Sequence, residues 1–352
     1  MKSFLLTLAI VGVCASTMLA QLSVDVNLVT FVATVTDSNG RYVPNLGKND
    51  FIVTEDGKEQ KVAIVEQSGD PQMSIGILLD TSESMRSKIS TATASVERFV
   101  RSLSSSDDMF LMTFDGKTRV EQNFTSDRNK ISKALKNVKL GYGTVVYDAV
   151  EKGILKLRDG KHPRKAILLV TDGQDHGSQT SLEQAMEDVR ESHVLLYCLG
   201  VSATGGNGRG GYPDPPPNSR DRGRTPTIRL PGGIQIPLPG GPILRQFPSG
   251  GGRPSGRTSP GAGQDAADMQ VLNSLASASG GKAFLVTTAS FNTSRSIDDV
   301  LDEISAELRS QYNIGYYPDH PLNDGKWHQV AVHTRNSTYE VRSRKEYFGG
   351  QQ

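Results

Sequence analysis

Residues 74–84 read Ser74-Ile75-Gly76-Ile77-Leu78-Leu79-Asp80-Thr81-Ser82-Glu83-Ser84. A nearly unbroken apolar run ends in a carboxylate, and hydroxyls follow at alternate positions. Such a run is the pattern of a strand buried on both faces, where neither face needs polar residues. A carboxylate and two hydroxyls on the turn leaving that strand can aim three oxygens at one point beyond the sheet edge. That suits a hard cation: Mg²⁺ takes about six oxygens in near-octahedral geometry, commonly one or two of them carboxylates, and keeps positions for water or a ligand.

Further along, the runs Met109 to Phe114, Ala166 to Val170, Val194 to Leu199 and Lys282 to Val286 also read as buried strands. Helical patterns lie between and after them. Met85, Ile89, Val96, Phe99, Val100 and Leu103 recur mostly at three- and four-residue spacing, and Ile297, Val300, Leu301, Ile304 and Leu308 do the same. Alternating strands and helices predict an α/β fold, a doubly wound, mostly parallel sheet. In such sheets ligands bind outside the carboxyl ends of the strands. Asp80 and the Thr171-Asp172-Gly173 turn would share one crevice there, and Gly141-Tyr142-Gly143-Thr144 completes the pattern.

Asp80, Ser82, Ser84, Thr144 and Asp172 stand in the order of the family signature Asp-x-Ser-x-Ser, Thr, Asp. In this the chain resembles the von Willebrand factor type A (VWA) domain and its metal-ion-dependent adhesion site. The resemblance runs from about Met73 to Gln311. It implies that the two serines bind the metal directly and that the threonine and carboxylates act directly or through water. A ligand carboxylate would fill the open position of Mg²⁺ or Mn²⁺. A second resemblance, to a secreted bacterial subfamily often labelled VWFA-related, rests on Phe51-Ile52-Val53-Thr54, Glu55-Asp56-Gly57-Lys58, Val62 to Val65 and Tyr312 to Pro318.

The 352 residues allow about two folded units. Residues 1–20, with Lys2, an apolar run from Phe4 to Val13 and small residues after it, have the layout of a secretory signal peptide, which predicts a secreted or periplasmic protein. Cys14 is set aside as a lipid acceptor because Val13 occupies a position that needs Gly or Ala. Residues 21–70 and 312–348 read as β-structure, with period-two stretches such as Val24 to Leu28, and neither has enough strands to stand alone, so they are expected to pack together. The VWA-like part, 73–311, is interrupted at 204–265. Those 62 residues hold 16 of the 36 Gly and 12 of the 17 Pro, with eight Arg, three Asp and no Lys or Glu, a composition that predicts disorder. Its one apolar island is Ile228 to Leu244, where Thr227 to Leu230 and Ile234 to Ile236 flank Pro231-Gly232-Gly233, a pattern that reads as a transient hairpin or as no structure at all.

Each motif also has a plainer reading. Ser82 and Ser84 could cap a following helix; Glu83 alternates away from the cluster; Asp107 and Asp108 suit a turn before a strand. Asp175 and His176 share the Asp172 loop but read as hydrogen-bonding groups, and Cys198, the one cysteine left after the signal peptide, reads as a packed thiol. Asn123, Asn292 and Asn336 begin sequons that matter only in a glycosylating host.

A formal charge of +1, from 39 Lys+Arg against 38 Asp+Glu, offers no global field for nucleic acid, and no second apolar stretch is long enough for stable membrane insertion. A Mg²⁺-dependent phosphotransferase of the haloacid dehalogenase type would place a second Asp where Ser82 stands, and a hydroxyl is a poor general acid near neutral pH. The expected function is therefore non-enzymatic: an exported module that captures a protein's Asp or Glu carboxylate through a divalent cation. A VWA module with a purely stabilising metal is the alternative.

Overall fold

The computed structural model describes residues 28–67, 72–202, 267–287 and 296–350, together with the backbone of Thr227–Arg229 and Gln235–Pro237. Residues 1–27, with the expected signal peptide, the rest of the 204–265 segment and the Asn292 sequon lie outside the described residues.

The first flank contributes β1 (Val29–Thr36), β2 (Phe51–Glu55), β3 (Lys58–Gln60) and β4 (Val62–Gln67). The central part follows with β5 (Met73–Asp80), α1 (Ile89–Ser102), β6 (Asp108–Phe114), β7 (Thr118–Thr125), α2 (Arg128–Lys136), α3 (Val146–Leu157), β8 (Arg164–Thr171), α4 (Leu182–Glu191) and β9 (Leu195–Ser202). After the short antiparallel pair β10 (Thr227–Arg229) and β11 (Gln235–Pro237) come α5 (Met269–Ser279), β12 (Ala283–Thr287) and α6 (Ile297–Ser310). The second flank supplies β13 (Tyr312–Tyr316), β14 (Trp327–Thr334), β15 (Glu340–Ser343) and β16 (Glu346–Phe348).

The central sheet has the order β12-β9-β8-β5-β6-β7 and is parallel except for β7, which pairs antiparallel with β6 at the edge. Along β5 the two faces alternate, as a period of two requires. Met73, Ile75, Ile77 and Leu79 pack with Val96 and Phe99 of α1 and with Ile304 of α6. Leu78 on the other face packs with Val150 of α3 and Leu272 of α5. Gly76 leaves room on that face for the Phe110 ring, which stands 2.7 Å from where a Cβ would be. Side-chain caps start several helices: Ser181 accepts from Gln184 N, Asp268 from Val271 N, and Ser296 with Asp299 forms a capping box.

The flanks interleave. β1 lies between β13 and β15, while β2 pairs with β14, so each of the two four-stranded antiparallel sheets (β15-β1-β13-β4 and β16-β14-β2-β3) draws on both ends of the chain. Phe31, Val53, Tyr312, Ile314 and Val332 fill the core between them. A cavity of about 980 Å³ at the junction is lined by Met73, Arg164 and Leu195, at the amino ends of β5, β8 and β9, and by Thr30, Val32 and Phe348 of the flanks. The β-module therefore sits at the end of the central sheet opposite Asp80. Glu307 of α6, 2% exposed, clasps the parts together: it accepts from Thr34 Oγ1, from Tyr197 Oη at 2.6 Å and from Arg342.

Candidate metal centre

Asp80 is the last residue of β5 and is fully buried. Its Oδ1 accepts from Ser82 N at 2.8 Å and its Oδ2 from Thr171 Oγ1 at 2.6 Å. The Ser82 and Ser84 hydroxyls lie 3.0 Å apart. That spacing matches the edge of an octahedron with Mg–O bonds of about 2.0–2.1 Å. Ser82 precedes a short 3₁₀ turn, Glu83–Met85, yet its side chain makes no cap hydrogen bond, so the capping reading of these serines gives way. Glu83 turns outward to an exposed pair with Arg86 at 2.6 Å.

Asp172, 1% exposed, follows β8, which is hydrogen-bonded to β5. Burial is the largest influence on Asp80 and pushes its carboxyl up to about 6; the Asp172 charge acts in the same direction, and the Ser82 and Thr171 hydrogen bonds oppose it. Two buried carboxylates whose charges act on each other favour compensation by a proton or a cation.

Thr144 is 4% exposed and is tied in through its backbone. Its carbonyl accepts from His176 N at 2.9 Å, while Gly141 N donates to Thr81 O at 2.8 Å and Gly141 bridges Ser82. The loop docks closely on Asp115: a Cβ at Gly141 would run into that carboxylate, which Arg119 grips, and Gly143 has a φ of 82°. The structure thus links Asp80, Ser82 and Ser84 by hydrogen bonds, sets Asp172 beside Asp80, and stitches the Thr144 loop to the turns of both. Asp175 stands apart from this group: its Oδ1 accepts from Val146 N at 2.7 Å at the start of α3.

Two residues here escape the sequence motif. Lys88 is fully buried, and its Nζ lies 3.3 Å from Asp172 Oδ2. Its signal is a charge in the apolar stripe, three residues after Met85 and four before Ala92. Thr171 is the other, a hydroxyl that the strand pattern hides. The donor set is entirely oxygen, and of its two carboxylates only Asp172 has an ammonium as partner, so a divalent oxygen-loving cation fits both the chemistry and the charge.

The chain returns from residues 204–265 beside this site. Asp268 N donates to Asp172 O at 2.8 Å, and a Cβ on Gly200 would lie 3.1 Å from that of Ala267, so the two ends of the excursion are neighbours.

Residues 74–210 match the model of the von Willebrand factor type A domain. No curated protein matches the sequence. Among solved structures, the chain is similar to BatB from Bacteroides thetaiotaomicron, at 18% identity and a TM-score of 0.43 over 67% of this chain and 97% of that one. It is also similar to the vWF domain of the type V pili tip protein Mfa5 from Porphyromonas gingivalis, at 19% identity and a TM-score of 0.29 over 30% and 39% of the two chains. A third is the mussel byssus proximal thread matrix protein 1 with a zinc-occupied MIDAS motif, at 18% identity and a TM-score of 0.36 over 40% and 38%. With the sheet order and the matched segment together, this chain carries a von Willebrand factor type A domain, a module that typically mediates protein interaction.

Proposed function

We propose that the protein is an exported, metal-dependent binding module. In this reading Asp80, Ser82, Ser84, Thr144 and Asp172 hold a divalent cation, Mg²⁺ or Mn²⁺, and an Asp or Glu carboxylate of a partner protein completes its coordination. Residues 73–311 carry the site, and the flanks 21–70 and 312–348 form a β-module that supports it from the opposite end; the apolar start of the chain supports export to the periplasm or beyond. The carrying observation is the pair of buried carboxylates beside two hydroxyls 3.0 Å apart at the carboxyl edge of the sheet. Bound there, a divalent cation would supply an electrostatic attraction for an anionic group that the site's own residues lack.

A second observation favours partner capture over a purely stabilising metal. Tyr142, on the Thr144 loop, is 83% exposed. An aromatic held out beside a cation site is a natural anchor for a protein surface. The test is a pulldown from the native extracytoplasmic fraction with wild-type protein and Asp80→Ala, in Mg²⁺ and in EDTA. A partner retained by wild type only in Mg²⁺ and never by Asp80→Ala is expected; equal retention in EDTA refutes the reading.

A further inference from the structure

The cavity at the junction of the central sheet and the β-module, about 980 Å³, is of the size that holds a small organic molecule. Its walls come from both parts of the chain and set apolar side chains, Val32, Leu195 and Phe348 among them, beside cationic ones. Arg344, just after β15, is 7% exposed. Its Nη2 donates to Thr30 O at 2.9 Å, its Nη1 donates to His193 Nδ1, and its Cζ lies 4.6 Å from the centroid of the Phe31 ring. These contacts fix the guanidinium and use two of its five N–H donors. None brings a negative charge, and no carboxylate among the described residues pairs with it. A guanidinium only donates, so His193 Nδ1 accepts; the ring is then neutral and keeps its proton on Nε2, a further N–H among the lining groups.

Arg164, the first residue of β8, supplies a second cation. Its Nη1 is buried and has no hydrogen-bond partner among the described residues. Counting back two residues on each strand from the Ala166–Leu195 pair sets Arg164 beside His193, the residue that Arg344 grips. Glu66, whose charge acts on Arg164, is exposed and forms no ion pair with it. Burial pushes both guanidinium groups down from their ordinary range, Arg344 to about 10.

Buried cations without a counter-ion are destabilising, because they have lost water and gained no opposite charge. An anion that reaches both removes that cost. With the imidazoles neutral, four cationic side chains, Arg164, Lys165, Arg190 and Arg344, meet three carboxylates, Glu66, Glu191 and the Glu346 that pairs with Arg190 at 2.9 Å, so one positive charge remains. A monoanion balances it. The planar guanidinium fork matches a carboxylate, and the apolar walls match a hydrocarbon body.

We propose that this cavity binds an organic carboxylate with an apolar body, its oxygens on Arg344 and Arg164 and its hydrocarbon part against Val32, Leu195 and Phe348. The bound acid touches both parts of the chain and fastens the β-module to the sheet end opposite Asp80. The test uses the full mature chain carrying Asp80→Ala, in EDTA, so that no carboxylate is captured through a metal. Octanoate and phenylpropanoate are titrated by calorimetry, with octanol and inorganic phosphate as controls. One equivalent of at least one acid is expected to bind at millimolar concentration or below, more tightly than either control, and to raise the melting temperature. Adding Arg164→Gln should weaken that acid at least about tenfold and leave the melting temperature of the unliganded protein unchanged or higher, since it removes an unpartnered buried charge. Arg344→Lys, checked for folding by circular dichroism, keeps the charge but loses the fork and should also weaken the acid. Uptake of neither acid by the folded protein, octanol or phosphate bound as tightly as the acids, acid affinity unchanged by Arg164→Gln, or a lower melting temperature of that variant without ligand overturns the proposal.

Discussion

Replacing Lys88 with Met removes an ammonium from a fully buried position and keeps the side chain's length, so no large cavity is created. What remains is Asp172, 1% exposed, deprived of a partner at 3.3 Å and still beside Asp80. Breaking a buried ion pair costs about 3–5 kcal/mol, because the remaining charge stays desolvated. A domain of this size moves by roughly 2–4 °C per kcal/mol, so in EDTA the melting temperature should fall by about 6–20 °C. Saturating Mg²⁺ should recover much of the difference, since the ion supplies the missing positive charge. A unit charge about 4 Å away at an effective dielectric near 20 is worth about 4 kcal/mol, so removing Lys88 should also tighten Mg²⁺ binding at least about tenfold. Differential scanning calorimetry in EDTA and in Mg²⁺ series reads both effects. A drop of the same size in both conditions, or one below about 1 kcal/mol, would show that Lys88 does not balance the charge of the metal group.

Further expectations follow from the same contacts. In wild type, Mg²⁺ at a hundredfold excess over its dissociation constant should add about 2.7 kcal/mol by linkage, and Asp80→Ala should erase that gain; an equal response in both proteins would remove Asp80 from the site. Gly141→Ala forces its new methyl against Asp115, and this should displace the Thr144 loop and weaken Mg²⁺ in a titration, whereas unchanged affinity would detach the loop from the site. Glu307→Gln leaves Arg342 without its carboxylate, along with altered contacts to Tyr197 and Thr34; urea denaturation should show a loss of about 1–3 kcal/mol, and a loss under ~0.5 kcal/mol would demote the clasp. Replacing residues 204–265 with a short Gly/Ser link, a short span because Gly200 and Ala267 on either side are neighbours, should leave melting temperature and Mg²⁺-dependent carboxylate binding unchanged, as expected of a spacer; a changed affinity would instead make the segment a gate.

The parts of this protein legible in its sequence are those with a local period or a local motif. The apolar runs ending at Asp80 and Val170 mark strands buried on both faces, and Ile297 to Leu308 marks one helix face, because burial imposes spacing on neighbours in the chain. The Asp-x-Ser-x-Ser turn is legible for the same reason. The edge strand β7 is not: its half-exposed, polar Thr118–Thr125 carries no apolar run, and only pairing with β6 makes it a strand. β9 reaches Ser202, beyond its apolar run, because β12 continues to bond it through Val201 and Ser202. Lys88 is an ordinary lysine until Asp172, 84 residues away, meets it in the dry interior. The registers of β1 with β13 and β2 with β14, and the Glu55, His320 and His328 group that they assemble, join residues more than 260 positions apart. Sequence patterns report what each residue needs from its neighbours in the chain; which distant charges come to share a desolvated space is decided only when the sheets close, since chain separation itself carries no periodic signal.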